Sequence, residues 1–160
     1  AGIVEMEVGP VTVGETLSLE LPSESVEVTI VSVGNPHAVL RREPTRADLL
    51  RLGPLMELHP RFPGRTNVQL VRVDGLNQLT ALVWERGAGE TSASGSSAVA
   101  VAAAAVANGW CESPITVFMP GGSLEVALDA EGIATLTGPA VEIARGDVLR
   151  TGGSIVGEPP

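Results

Sequence analysis

Alternating apolar and polar positions dominate the first third of the chain. Val4, Met6 and Val8 alternate with Glu5 and Glu7, and Leu17, Leu19 and Leu21 alternate with Thr16, Ser18 and Glu20. This period of two predicts strands over residues 3–8 and 16–21, each with one wet face. The β-branched run at 26–33 predicts a third strand, and Pro10, Gly14 and residues 22–25 supply turns. GNPHAVL, from Gly34 to Leu40, interrupts the rhythm. The period then changes. Leu49, Leu52 and Met56 line one face of a helix predicted over 44–58, with Thr45 as N-cap and Asp48 completing a variant capping box. Gly53-Pro54 is expected to bend this helix or to split it.

HPRFPGRTN, from His59 to Asn67, reads as a loop. Strands are predicted over 68–73 and 78–84 around the turn DGLN. Further strands are expected at 115–119, 123–128, 133–137 and 141–144, with PGG and DAEG joining the first three into an antiparallel meander. Between these two groups lies ERGAGETSASGSSAVAVAAAAVANG, in which positions 98–107 contain only Ala and Val. This run predicts a buried helix, started by Ser94, Ser96 or Ser97 and stopped by Asn108-Gly109. A helix apolar all round must be covered on every side. The expected fold is therefore α/β (α+β), an antiparallel barrel-like sheet wrapped around a central apolar helix. Residues 1–149 would form one domain and 150–160 a tail or linker.

Composition narrows the functional classes. With 160 residues, 44% of them apolar, and a mean hydropathy of +0.26, the chain is long enough for one real core. Nineteen acidic residues against ten basic ones, all ten of them arginine, give a net charge of −9. With no basic run, this argues against nucleic acid and against anionic membrane surfaces as partners. The longest apolar stretch, 98–107, is half the length of a membrane span. No signal-peptide pattern opens the chain, and a single cysteine, Cys111, excludes an internal disulfide. A cytoplasmic location is the expectation. The first residue is Ala rather than Met, as in a chain processed or cut from something longer.

The candidate chemistry sits at the start of the Ala/Val helix. Its first-turn amides lack partners within the helix and suit a carboxylate or phosphate, and the preceding GAGET turn offers more. The spacing fits neither a P-loop nor a dinucleotide fingerprint. The alternative is a glycine-rich lead-in that serves only close helix–sheet packing. His37 can likewise be read as a turn residue, Arg86 as the partner of Glu85 in an ion pair, Asn67 as a turn cap and His59 as structural.

Five motifs in order, GNPHAV, HPRFPGRTNV, WERGAGET before a small-residue helix, PGGSLEV and LTGPA, resemble the C-terminal half of diaminopimelate epimerase between about residues 31 and 148. The resemblance implies one of two similar domains with the active site in the cleft between them. It implies interconversion of LL- and meso-diaminopimelate for lysine and peptidoglycan precursors, with no pyridoxal phosphate, metal or other cofactor. Two cysteines, one from each domain, would exchange the α-proton, each at a helix N-terminus that favours thiolate. Carried over, Asn35 and Asn67 would bind the distal end of the amino-acid substrate and Arg86 its distal carboxylate. His37 and Glu85 would orient the reacting centre, and Gly95 and Ser96 would offer amides to the α-carboxylate.

One position departs from the family pattern. Where the family has its catalytic cysteine, this chain has Ser94. Cys111 lies beyond the helix and is no substitute, and a hydroxyl is a far weaker base than a thiolate. Three accounts remain open: half of a longer enzyme with a natural serine, a deliberate Cys-to-Ser change, or a related isomerase or binding protein. In the last case a phenazine-biosynthesis-type isomerase is the alternative, with Glu90 as the local carboxylate. Either way the chain would need a complementary N-terminal domain, and pairing with a second copy of itself is a further option. Alone it is expected to be inactive.

Overall fold

The structure, a computed structural model, describes residues 2–144. It contains strands β1 (Gly2–Pro10), β2 (Thr12–Glu20), β3 (Ser25–Ser32) and β4 (Pro36–Arg41), then helix α1 (Arg46–Glu57). Strands β5 (Asn67–Gly75), β6 (Gln78–Glu85) and β7 (Gly89–Thr91) precede helix α2 (Gly95–Ala107). Strands β8 (Ile115–Met119), β9 (Gly122–Leu128) and β10 (Ile133–Ala140) follow it.

All ten strands form one sheet in the order β1-β10-β9-β8-β6-β5-β4-β3-β2, with β7 paired to β6 off this path. The antiparallel, barrel-like sheet expected from the sequence is not what forms. The sheet is mixed, because β4 pairs with β5 and β6 with β8 in parallel. It is also open, with β1 and β2 at its two ends. Both differences have a physical cause. Parallel neighbours need a crossover, and the two helices supply one each: α1 between β4 and β5, α2 between β6 and β8. The only residue between β1 and β2 is Val11, too few for a tight hairpin, and its N–H goes to Gly132 O at 3.0 Å.

The helices pack on opposite faces of the sheet. Leu49, Leu52 and Met56 of α1 join Leu19, Val26, Val28, Ala38, Leu40, Val68 and Leu70 in one core. Residues 98–105 of α2 join Val31, Val39, Val71, Leu79, Ala81 and Val83 in the other. Because side chains alternate along a strand, Ala38 and Val39, or Leu70 and Val71, belong to different cores. That is why GNPHAVL loses the alternating pattern yet contains β4: its residues are covered from both sides. β7 is too short to leave a pattern at all. The meander of β8, β9 and β10 is antiparallel as its turns indicate. Residues 141–144, expected as a strand, carry no regular structure, and the expected tail at 150–160 lies outside the described residues. The α2 helix is 13 residues long, and no helix among the described residues is long and apolar enough to cross a membrane.

Helix α1 starts as expected, with Thr45 Oγ1 accepting from Asp48 N at 3.1 Å. The reciprocal half of the capping box is absent, because the Asp48 carboxylate pairs with Arg42 and Arg51 instead. The helix neither splits nor ends at Pro54. Only one turn follows the proline, and buried Met56 anchors it. Gly53 allows the closest approach in this layer. A Cβ there would lie 2.6 Å from Trp84 Cδ2 and 2.7 Å from Cγ. The indole cannot swing clear without losing its 2.7 Å hydrogen bond to Glu57 Oε2. In an open helix Gly→Ala would stabilise by about 1 kcal/mol; here the overlap outweighs that gain. Gly53→Ala is expected to destabilise the fold by about 1–3 kcal/mol, read as a lower midpoint in urea denaturation. An unchanged or higher midpoint would show that Trp84 is free to move.

Candidate functional site

The start of α2 is held by its own cap. Ser94 has extended backbone (φ −154°, ψ 122°), and its Oγ accepts from Ser97 N at 3.4 Å, a long contact. Ser94 O accepts the N–H of Ala98 at 3.0 Å, the first bond of the helix ladder. Gly95 and Ser96 occupy the first turn, where amides have no partner within the helix, and both are half-buried. Leu136 of β10 covers Gly95 so closely that a Cβ there would sit 3.1 Å from its Cδ2. The approach to Ser94 is braced by the PGG turn, where Gly121 N donates to Ser92 O at 2.7 Å.

A chain of buried polar groups ties β4 and β5 to this helix turn. The parallel pairing places His37 opposite Asn67, and both side chains share the α2 face with Val39, Gln69 and Val71. His37 is fully buried. Gln69 Nε2 donates to His37 Nδ1 at 3.0 Å and to Ser97 Oγ at 3.0 Å. Nδ1 is therefore the acceptor nitrogen, and the proton sits on Nε2, which donates to Asn35 Oδ1 at 2.9 Å. The Asn35 carboxamide is thus left with its N–H groups for any further partner. Gln69 Oε1, in the same buried cluster, has no hydrogen-bond partner within the protein.

A second frame holds the turn after β6. Asn67 Nδ2 donates to Pro36 O at 2.9 Å, and its Oδ1 accepts from Arg86 N at 2.9 Å. The Arg86 guanidinium is exposed and donates to Gly64 O at 3.1 Å. Glu85 Oε1 accepts from Thr91 Oγ1 at 2.8 Å, across the β6–β7 ribbon. Glu85 and Arg86 thus have separate partners and do not form the ion pair that their adjacency suggests. Glu90 pairs with Arg46 of α1 at 2.9 Å, so this carboxylate is engaged away from the helix start. His59 Nδ1 accepts from Arg61 N at 3.1 Å inside its loop. Cys111 is buried after the far end of α2, with burial raising its thiol pKa.

The structure therefore brings Asn35, His37 and the first turn of α2 into one hydrogen-bonded frame, and Asn67 and Arg86 into another. No hydrogen bond links Glu85 or Ser94 to His37, whose ring nitrogens go to Asn35 and Gln69. Sequence reasoning missed Gln69, which links the first frame, and Glu57, which braces the second, and it read Ser97 only as a helix-start residue. Gln69 left a usable signal, a polar residue among Val68, Leu70 and Val71 in the buried part of its strand. Glu57 follows Gly53 by four residues on the same stripe of α1, but only the packing of Trp84 reveals that the stripe is covered.

The fold is shared with other solved structures. A probable proline racemase from Agrobacterium radiobacter K84 superposes with a TM-score of 0.66 at 18% identity, over 89% of this chain and 54% of its own. Sequence is more specific. The family model for diaminopimelate epimerase matches residues 29–143, and the chain belongs to that family. Diaminopimelate epimerases of Pseudomonas entomophila (strain L48) and Stutzerimonas stutzeri (strain A1501) are each 46% identical to it, over 132 and 133 residues. These matches cover 81% and 82% of this chain and 48% of each relative, so the chain spans about half the length of the curated relatives it matches.

Burial of His37 has a consequence that needs no ligand. Desolvation, with the nearby Arg86 charge in support, lowers its pKa from 6.5 to about 4. The unfolded chain therefore takes up this proton first as pH falls. The stabilisation is complete above pH 6.5 and is lost progressively toward pH 4, by about 3 kcal/mol in total. Urea denaturation at a series of pH values should show this decline, and His37→Asn should flatten it. An equal slope in both proteins would contradict the assignment.

Proposed function

We propose that the chain is the C-terminal domain, residues 1–149 with a following tail, of a cofactor-independent epimerase that acts on diaminopimelate, and that it provides one wall of the active site. The observation that most supports this is the buried link from Asn35 through His37 and Gln69 to Ser97, which fixes the family's first motif to the first turn of α2. In this reading the amides of Gly95 and Ser96 receive the α-carboxylate. There the helix field favours its charge and lowers the cost of removing the α-proton. Arg86 grips the distal carboxylate, while Asn35 and Asn67 use their remaining N–H groups as donors at the same end. His37, neutral and locked as the Nε2–H form, and Glu85, tied to Thr91, orient the reacting centre. A complementary N-terminal domain closes the cleft and brings the opposite acid or base.

Ser94 sets the limit on chemistry. Its hydroxyl occupies the position of the family's thiol, and its oxygen already caps Ser97 N. A hydroxyl with no adjacent base holds its proton far more tightly than a thiol, so this half binds and orients better than it abstracts. The family's activity would then be weakened at its proton-transfer step and its binding retained.

Two measurements test the reading. Titrating the chain with meso-diaminopimelate should shift the backbone amide signals of residues 95–97, and Arg86→Ala should weaken binding roughly 10- to 100-fold, the loss of a charged hydrogen bond. Undisturbed amides, or equal affinity in the variant, would sink the binding assignment. With the N-terminal domain supplied, Ser94→Cys should raise α-proton exchange in heavy water on the order of tenfold or more. Equal rates would show that residue 94 is not the proton-transfer position.

A further inference from the structure

Glu57 is a buried carboxylate that the binding reading does not use. It closes α1, with its side chain 8% exposed. Its Oε2 accepts from Trp84 Nε1 at 2.7 Å and its Oε1 from Gly87 N at 2.9 Å, with Arg65 Nη1 3.5 Å from Oε1. These donors come from either side of Arg86 along the chain and from the loop before β5. Arg86 N is fixed by Asn67 Oδ1 and its guanidinium by Gly64 O. Arg65, next to Gly64, holds a left-handed backbone (φ 59°), a conformation that needs outside support in a non-glycine residue. Glu57 is where these pieces meet: the end of β6, the turn bearing Arg86, and the loop that tethers its guanidinium.

We propose that Glu57 is a positioning residue for the distal clamp. It holds the turn at residues 84–87 and the loop at 64–65 in register, so that Arg86 is aimed before ligand arrives. This rests on the reading of Arg86 as the distal-carboxylate clamp. The cost of the arrangement also argues for a role beyond packing. Burial alone would raise the Glu57 pKa, yet the donors from Trp84 and Gly87 and the Arg65 charge together hold it below the ordinary value. The carboxylate therefore stays ionised where an apolar residue would fill the space without needing three donors. As an anion near a site for a diacid it repels the ligand at long range. Its benefit must therefore come through geometry, which gives the proposal a distinctive sign.

The test compares two ligands for the full chain. Lysine is diaminopimelate without the distal carboxylate, so the ratio of their affinities reports the clamp alone. Wild type should bind meso-diaminopimelate more tightly than L-lysine, and Arg86→Ala should abolish the difference. Glu57→Gln keeps the shape but can accept with only one of its two terminal atoms. It should weaken diaminopimelate binding roughly tenfold while leaving lysine affinity within about twofold. Equal weakening of both ligands would assign Glu57 a merely structural role, and tighter diaminopimelate binding would mean that its charge, not its geometry, dominates. Either result overturns the proposal. If wild type itself does not distinguish the two ligands, the clamp reading of Arg86 fails instead. Should Glu57→Gln not fold, wild type answers by NMR. The Gly87 amide and the Arg86 amide should shift together as the Glu57 carboxyl is titrated with acid, and a fixed Arg86 amide beside a moving Gly87 would overturn the proposal.

Discussion

The structure depends on burying a helix that has almost no side-chain bulk. From Ala98 to Ala105 every residue of α2 is buried, and none is larger than valine. Such a helix gains from burial only if its surroundings come close, because small side chains leave voids wherever a neighbour stands at ordinary distance. Strands β2 to β6 and β8 to β10 all touch it. Close packing in turn seats the first turn of α2 against Leu136 and Gln69. The same geometry allows polar groups to reach that turn, since Gln69 can bridge His37 and Ser97 only when strand and helix lie this near.

The opposite face of the sheet solves a different problem. There α1 brings larger side chains, and the fit is set by an indole pressed against a glycine. Trp84 belongs to both halves of the arrangement: its ring packs on α1, while its strand ends on Glu85 and leads into the turn with Arg86. Two helices on two faces thus brace separate pieces of chain, α2 through the Ser97–Gln69 bond and α1 through the Glu57 carboxylate on Trp84 and Gly87. The mixed sheet follows from this division, because each helix has to cross between neighbouring strands to reach its own face.

Much of the fold was legible because periodicity and turn chemistry agreed. Thr45 caps α1, and the Ala/Val run between Ser94 and Asn108 marks α2 with a start and a stop, whereas β1 forms as a strand but its residues 2–7 are exposed on both faces rather than on one. What escaped is what periodicity does not encode. β4 is covered on both faces and so shows no alternation, and a local sequence pattern says nothing about which strands become parallel neighbours. The open edge between β1 and β2 is a global property decided by the single-residue link at Val11. At the site, His37, Asn67 and Arg86 stood out because they sit in motifs. Gln69 and Glu57 act through other residues, and their roles emerge only when β5 meets α2 and α1 meets Trp84.

The lone thiol has a further consequence. Cys111 is sealed in the core with its Sγ 3.5 Å from Gly75 O, on the far side of α2 from the candidate site. An electrophile or oxidant that silences enzymes through an exposed active-site thiolate meets only a hydroxyl at the helix start. Alkylating probes designed to capture a cysteine nucleophile would pass this helix start by.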